Sequence, residues 1–357
     1  MKKIAYGVIS PPLKGFFALC MFFIVSAGCR KHDVHFLLSG YQKTVLVADV
    51  DGFGAGRLDP TLVNAWGIAV APSGPIWIAS NHTSLTQVYD KAGATLIPPI
   101  TISAGEGAPT GVVFNGTSNF VVPDNGKPGR FIFSGEDGTI NAWNGGTSTF
   151  KVADQSAWDA VYKGLAMGSV GADTFLYATN FKGGKIDVFD KDYKLVTDKP
   201  FWDPLIPNGF APFNIRNIGG WLYITYAKLK GPDNEDDEKG PGNGFIDIYN
   251  TSGKLIKRFA SRGALNSPWG MVEASQGFGT IGNAILVGNF GDGRINVFDS
   301  QGRFFGHLND DKGQPIEIDG LWALENNVPN ADPNQLFFTA GPGGEEHGLF
   351  GYLLKKQ

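Results

Sequence analysis

Two histidines, His82 and His347, could contribute to chemistry at one site. His82 follows the apolar stretch IWIASN, and His347 closes the segment GPGGEEH. Two imidazoles with a third ligand can hold zinc, and one imidazole with an orienting carboxylate can act as a general base. Asp319, Glu345 or Glu346 could supply the missing carboxylate. Because the two histidines have no fixed local spacing, a surface or hydrogen-bonding role is the alternative.

Asparagines recur at the ends of strand-like stretches. Amide and carboxylate oxygens are the ligands that calcium prefers. The sequence therefore offers one candidate calcium site, with ligands from Asn180, Asn214, Asn289 and Asp319. The alternative is that these side chains close turns, since Asx residues readily bond to nearby backbone.

Catalytic motifs with a fixed spacing do not occur in the sequence. There is no G-x-S-x-G, no H-E-x-x-H and no phosphate-binding glycine loop between a strand and a helix. The acidic insertion KLKGPDNEDDEKGPGNG, residues 228–244, lacks the residue order of a calcium-binding loop. We expect it to be a solvated acidic loop. A binding role is therefore favoured over catalysis.

The elements that must position these residues belong to an internal repeat. NFGDGRINVFDSQG at 289–302 matches NFKGGKIDVFDKDY at 180–193, and related copies occur elsewhere. Each copy is preceded by a short apolar strand, as in AWGIAVA and PWGMVEA. Equivalent positions recur about every 50 residues, which is typical of a β-propeller with four strands per blade. The equivalent positions are Gly67, Gly111, Gly164, Asn214, Gly270 and Ala323.

The last copy supplies only three strands, whereas KTVLVADVDG at 43–52 is a strand without a copy of its own. An unpaired strand edge favours aggregation, so the early strand is expected to complete the last blade. The predicted fold is all-β, a six-bladed β-propeller closed by an N-terminal strand, with seven blades as the alternative. The propeller domain is predicted over residues 44–357.

In a propeller, the start of each inner strand and the loop after the second strand share one face. Loops on a rigid scaffold commonly carry binding residues. We expect a ligand-binding face there, built from Asn64, Asn81, His82, Asn180, Asn214, Asn289, Asp319, Glu346 and His347.

The N-terminus has the pattern of an export signal. Lys2, Lys3 and Lys14 precede the apolar run GFFALCMFFIVSAGC, which is too short for a membrane span. Small residues before Cys29 resemble a bacterial lipobox, although Ser26 stands where leucine is usual. We expect residues 1–29 to be a lipoprotein signal peptide, Cys29 to be lipidated and residues 30–43 to be a tether. An ordinary secretory signal and an uncleaved anchor are the alternatives.

Composition limits which partners the protein is expected to bind and where in the cell it is expected to lie. The chain carries 30 basic and 34 acidic residues, a net charge of −4, and has no basic cluster that would favour nucleic acid. After removal of the leader, which contains Cys20, only Cys29 would remain, so no internal disulfide is expected. The expected partners are the membrane, through the lipid, and a small molecule, a glycan or a protein. We expect a monomer exported to the periplasm or the outer membrane.

Several stretches together resemble one family of exported bacterial propeller proteins, some of which carry a PEP-CTERM sorting tail. They include NAWGIAVAPSGPIWIASN, RFIFSGEDGTINAWN, GFAPFNIRNIGGWLYITYA and FFTAGPGGEEHGLFG. The resemblance covers nearly the whole chain after the tether and implies a propeller fold, but no assigned activity. The chain ends in LLKKQ, so lipid on Cys29 would replace the tail as the anchor.

The chain is more distantly similar to NHL-repeat and gluconolactonase-like six-bladed propellers. That similarity implies an alternative function, a hydrolase or lyase that uses a divalent cation in the central channel. In lactonases a glutamate of the first blade holds the cation, and here Asn64 occupies the position where it would be sought. No catalytic residue is therefore transferred to this chain.

Overall fold

The computed structural model describes residues 1, 38–103, 107–279, 281–326 and 328–356. The predicted leader and Cys29 lie outside these ranges, apart from Met1, as does most of the predicted tether. Among the described residues, no helix has the length and apolar character needed to cross a membrane. Regular structure consists mainly of short β-strands, with single 3₁₀ turns at Asn81–Thr83 and Ser156–Trp158.

Two strands and then three blades occupy the first half of the chain. The first strands are Tyr41–Ala48 (β1) and Arg57–Leu58 (β2). Blade one contains Ala65–Val70 (β3), Ile76–Ser80 (β4), Leu85–Tyr89 (β5) and Thr95–Thr101 (β6). Blade two contains Pro109–Phe114 (β7), a ribbon of Val121–Val122 (β8) and Lys127–Pro128 (β9), then Phe131–Gly135 (β10), Thr139–Trp143 (β11) and Phe150–Asp154 (β12). Blade three contains Tyr162–Val170 (β13), Asp173–Asn180 (β14), Lys185–Phe189 (β15) and Leu195–Val196 (β16).

Three more blades complete the ring. Blade four contains Phe210–Ile218 (β17), Trp221–Lys228 (β18), Phe245–Tyr249 (β19) and Leu255–Ser261 (β20). Blade five contains Pro268–Glu273 (β21), Ile285–Asn289 (β22), Ile295–Phe298 (β23) and Phe304–His307 (β24). Blade six contains Leu321–Glu325 (β25), Gln335–Ala340 (β26) and Leu349–Lys355 (β27).

The N-terminal strand closes the ring, as the sequence predicts. β1 pairs antiparallel with β27, from Tyr41 opposite Lys355 to Ala48 opposite Leu349. It thereby becomes the outer strand of blade six, and β2 adds a short parallel pairing beyond it. Pairing begins at Tyr41, two residues before the predicted strand, and Tyr41 is buried. The six-bladed prediction is confirmed, and the seven-bladed alternative is not.

Glycine at the repeat register lets the inner strands approach each other around the channel. A Cβ on Gly67 would lie 2.5 Å from the carbonyl oxygen of Thr110, and one on Gly111 would lie 2.4 Å from the amide nitrogen of Leu165. Both distances are far shorter than real Cβ contacts, so a side chain at either position would push neighbouring blades apart. The repeating glycine therefore has a packing cause rather than a chemical one.

A repeated turn joins the third and fourth strands in four blades. In blade one, Oδ1 of Asp90 accepts hydrogen bonds from the backbone N–H groups of Ala92 and Ala94, both at 2.8 Å. The same pair of bonds forms at Asp190, Asn250 and Asp299. An Asx oxygen can satisfy two turn N–H groups, which explains why the repeat ends its third strand on Asp or Asn.

Candidate functional site

The channel has two ends, which differ in character. We call the end where the inner strands begin the mouth, and the end where they finish the base. Most of the side chains predicted for the binding face lie at the mouth. The described structure places a cavity at the base.

Stacked aromatic rings fill the channel just below the mouth. The Trp66 and Trp322 rings stack with centroids 3.5 Å apart, and Trp322 stacks on Phe290 at 3.8 Å. The Trp269 ring meets both tryptophans edge-on. The three tryptophans are buried, with at most 4% of their surface exposed. The rings therefore block this part of the channel.

A chain of polar side chains crosses five blades above the aromatic rings. Asn64 Nδ2 donates to Glu345 Oε2 at 2.8 Å, and it lies 3.4 Å from Asn81 Oδ1. Asn81 Nδ2 donates to Glu136 Oε2 at 2.7 Å. Lys163 forms an ion pair with Glu136, and its Nζ lies 3.6 Å from Asp236 Oδ1. We call these six residues the mouth network: Glu345, Asn64, Asn81, Glu136, Lys163 and Asp236.

Burial and charge act in opposite directions within the mouth network. Burial by itself would lower the pKa of Lys163, but the Glu136 carboxylate offsets this and raises it. Burial would raise the pKa of Glu136, whereas Lys163 and the Asn81 amide hold it below its usual value. Lys163 and Glu136 are therefore both charged at neutral pH, and Lys163 is not a free amine nucleophile. Burial raises the pKa of Glu345, which makes it the weaker acid of the network.

The four predicted calcium ligands use their oxygens elsewhere. Asn180 Oδ1 accepts from the backbone N–H groups of Val161 and Gly183, at 3.3 and 3.0 Å. Asn214 Oδ1 accepts from the N–H of Ile215 at 2.8 Å. These two side chains bond to local backbone, as the turn-closing alternative predicts.

The other two candidate ligands accept hydrogen bonds from residues on other segments of the chain. Asn289 Oδ1 accepts from the Asn266 N–H at 3.2 Å and from Asn296 Nδ2 at 3.0 Å. Asp319 Oδ2 accepts from the Gly343 N–H at 2.8 Å. Within the described ranges, no group of three or more His, Cys, Asp or Glu residues is arranged to hold a metal. The calcium site at Asn180, Asn214, Asn289 and Asp319 stays a prediction.

The two histidines have different surroundings. His347 Nδ1 lies 2.9 Å from Asp49 Oδ2, and its ring meets Phe53 edge-on at 5.5 Å. His82 is exposed on the 3₁₀ turn. Glu346 is also exposed, and its neighbour Glu345 is the residue that joins the mouth network. The structure records no contact that would make a shared zinc or general-base site from the two histidines.

The acidic segment at 228–244 folds over the mouth. Glu235 pairs with Lys182 at 2.9 Å, Glu238 pairs with Lys228 at 2.6 Å, and Asp236 faces Lys163. Lys239 Nζ lies 3.9 Å from the centroid of the Phe290 ring. Most of the carboxylates are exposed, as expected, but burial raises the pKa of Asp237, and the segment is tied to blades three, four and five.

At the base, a cavity of about 340 Å³ opens between the ends of the inner strands. Its wall combines apolar side chains from Ile68–Val70, Val112–Phe114 and Leu165–Met167 with the polar side chains of Arg216, Asn217 and Glu325. Arg216 Nη2 lies 2.7 Å from Glu325 Oε2, and these side chains are 26% and 16% exposed. We call this space the base cavity.

Sequence reasoning missed three of these charged residues. Glu136 follows the second strand of its blade, which is the register that Asn81 and Asn180 occupy in other copies. Arg216 and Glu325 are the charged residues in the otherwise largely apolar stretches PFNIRNI and LWALENN. A charge on an inner strand is the signal that could have indicated the base, because buried charges require partners.

Comparisons with known proteins identify relatives. The chain is 36% identical over 317 residues to Uncharacterized protein R648 of Acanthamoeba polyphaga mimivirus, covering 85% of this chain and 78% of the viral one. The chain belongs to the family of this viral protein. Protein L690 of the same virus is 35% identical over 320 residues and covers 85% and 83% of the two chains. No protein-family model matches.

Solved structures share the fold at low identity. A streptogramin B lyase matches with a TM-score of 0.52 at 11% identity, over 88% of this chain and 97% of its own. A gluconolactonase from Xanthomonas campestris matches with a TM-score of 0.48 at 13% identity, over 82% and 86%. The lyase match supports the expected propeller architecture, for the fold alone. The expected family of exported bacterial proteins with PEP-CTERM members receives no support, since the sequence relatives are viral.

Proposed function

We propose that the protein is a non-catalytic binding propeller, which holds a small amphipathic molecule in the base cavity. The observation that carries the proposal is one cavity that is lined by both apolar and polar groups, with the Arg216–Glu325 ion pair at its wall. Small-molecule sites are concave and mostly apolar, with a few polar groups that fix orientation. The base cavity, at about 340 Å³, lies within the usual size range of roughly 300–1,000 Å³.

The side chains of the wall favour a ligand that has an apolar body and an acidic end. Val112, Leu165 and Met167 offer apolar surface to the body of the ligand. Arg216 has five N–H groups, and the contact with Glu325 uses one nitrogen of its guanidinium. A carboxylate or sulfonate can therefore reach the remaining donors.

The mouth network is a structural plug in this proposal. Its ammonium group and its carboxylates are paired with one another, and aromatic rings fill the channel beneath them. A hydrolase or lyase that uses a channel cation is the second function suggested by the sequence. The backbone and side-chain bonds of Asn180, Asn214, Asn289 and Asp319 give that function no support.

Export and anchoring complete the proposal. The lipobox-like residues before Cys29 support a lipoprotein of the bacterial cell envelope, held as a monomer in the periplasm or at the outer membrane. The net charge of −4 argues against nucleic acid as a partner. Metabolic labelling with a palmitate analogue tests the anchor. Label should enter the wild type and not Cys29→Ala, and equal labelling of both would refute lipidation.

Titration with 8-anilinonaphthalene-1-sulfonate, an apolar dye with one anionic group, tests the cavity. We expect saturable binding of one dye per chain. Met167→Trp should abolish it by filling the cavity. Val121→Trp is the matched control, because it adds the same indole on the exposed β8 ribbon.

A second variant protects this test against misfolding of Met167→Trp. The double variant Arg216→Met/Glu325→Leu leaves apolar surface in place of the charged pair. It should weaken dye binding by about tenfold, through loss of the sulfonate contact. Unchanged affinity in both cavity variants would contradict the proposal.

A further inference from the structure

Two tryptophans project into solvent on the mouth face, away from the channel. Trp158 is 81% exposed and Trp202 is 71% exposed, whereas Trp66, Trp77, Trp269 and Trp322 are at most 4% exposed. Trp158 precedes the inner strand of blade three, and Trp202 precedes that of blade four. A single exposed apolar side chain is common on protein surfaces, so the indoles become informative only together with the polar clefts that they line.

Each indole lines its own cleft. The first cleft, of about 410 Å³, is lined by Trp158 with Gln155, Asn180, Lys185 and Asp187. The second, of about 240 Å³, is lined by Trp202 with Asp203, Asn208, Tyr226 and Gly184. Gly184 ends the turn between β14 and β15, and the next residue, Lys185, begins β15. One hairpin turn therefore separates the two clefts.

The polar wall of the first cleft is fixed by internal bonds. Asp187 Oδ2 accepts from Asn180 Nδ2 at 2.9 Å and from the Tyr162 hydroxyl at 3.1 Å. Asp187 Oδ1 pairs with Lys185 Nζ at 2.8 Å. Asp187 is buried, at 5% exposure, so these donors and acceptors keep their positions. Ligand recognition is favoured when polar groups are held in place before binding.

We infer that these two clefts together bind a neutral oligosaccharide across the hairpin turn. A sugar ring has an apolar C–H face, which can stack on an indole, and hydroxyl groups, which pair with amides and carboxylates. Lys185 and Asp187 balance each other in charge, so the first cleft does not favour a charged ligand. The hairpin turn divides the apolar surface, and such a divided surface suits separate sugar rings better than one protein interface.

Isothermal titration calorimetry on the purified soluble domain tests the inference. The probes are cellotetraose, chitotetraose and maltotetraose. At least one should bind, and Trp158→Ala and Trp202→Ala should each weaken that affinity by about tenfold, equivalent to about 1.4 kcal/mol. Both residues are exposed, so neither change should disturb the fold.

Trp221→Ala is the control variant. Trp221 is 46% exposed and begins β18, at the end of the blade that faces the base. It should bind the sugar like the wild type. The inference is overturned if no tetrasaccharide binds at millimolar concentration, if either cleft variant keeps full affinity, or if Trp221→Ala loses affinity as much as they do. None of these results bears on dye binding in the base cavity.

Discussion

Arg216 Nη2 lies 2.7 Å from Glu325 Oε2, and the two residues belong to blades four and six, which are not neighbours in the ring. Their ion pair therefore crosses part of the channel, past blade five. The side chains are 26% and 16% exposed, between the fully buried and the fully exposed case. The attraction between two such charges is stronger than in an ion pair on the surface, because less water screens it.

Loss of one partner should destabilise the fold measurably. Arg216→Ala leaves the Glu325 carboxylate without its cation in a partly apolar cavity. We expect the free energy of unfolding to fall by about 1–2 kcal/mol. Urea denaturation of the soluble domain measures this. The double variant Arg216→Met/Glu325→Leu should recover most of the loss, and a double variant as unstable as the single one would contradict the interpretation.

Substitution of two different lysines at the mouth should lower the free energy of unfolding by very different amounts. Lys163 has a side chain only 3% exposed and pairs with Glu136, so Lys163→Met should lower the free energy of unfolding by about 3 kcal/mol. Lys182 pairs with exposed carboxylates of Glu235 and Asp159, so Lys182→Met should stay close to the wild type. Thermal and urea unfolding of both variants provide the comparison. Similar losses in both would show that the mouth network is not the buried plug described above.

Substitution of Asn64 should destabilise the fold, because its side chain joins the first and last blades. Its Oδ1 accepts from Trp322 Nε1 at 2.9 Å, and its backbone has a φ of +48°. Asn64→Gly should cost about 2 kcal/mol by leaving the buried indole N–H unpaired. Asn64→Ala should cost about 1 kcal/mol more, because alanine opposes the positive φ. Equal stability of the two variants, measured by urea denaturation, would exclude the backbone contribution.

Stability should change with pH through a buried aspartate in blade four. Burial raises the pKa of Asp247 to about 6, although the Arg258 charge opposes this. Because the folded-state pKa exceeds the ordinary value of 3.8, the native state binds this proton more tightly than the unfolded chain. The stabilisation is complete below about pH 4 and is lost as the pH rises through about 6.

Asp247→Asn provides the matching variant, since its amide stays neutral throughout. Between about pH 4 and pH 6.5, the free energy of unfolding of the wild type should fall relative to the variant by about 2 kcal/mol. Urea denaturation at several pH values in this range measures the difference. If the free energy of unfolding changed with pH equally in the wild type and in Asp247→Asn, that result would contradict the raised pKa of Asp247.

The repeat made the fold predictable. The interactions that produce the repeated residues lie within one turn or between neighbouring blades. Glycine at Gly67 and Gly111 reflects the close approach of inner strands, and Asp90 and Asp299 end strands in self-bonded turns. The unpaired early strand predicted the closure of the ring. Each of these features leaves a regular mark along the chain.

The candidate site was less predictable, because its members lie far apart in sequence and their charges are not shared by the other copies of the repeat. Arg216 and Glu325 are separated by 109 positions, and only the curvature of the ring brings them together. The asparagines bond to backbone and side-chain groups, and the ligand-binding face at the mouth stays a prediction. Bulky rings such as Trp66 and Trp322 fill the channel below it, which the sequence did not indicate.

A crystal structure of the soluble domain with bound 8-anilinonaphthalene-1-sulfonate tests the central claim most directly. We expect the aromatic rings of the dye to lie between Val112 and Leu165 in the base cavity, with the sulfonate within hydrogen-bonding distance of Arg216. Dye bound instead at the mouth beside Lys163, with the base cavity unoccupied, would contradict it.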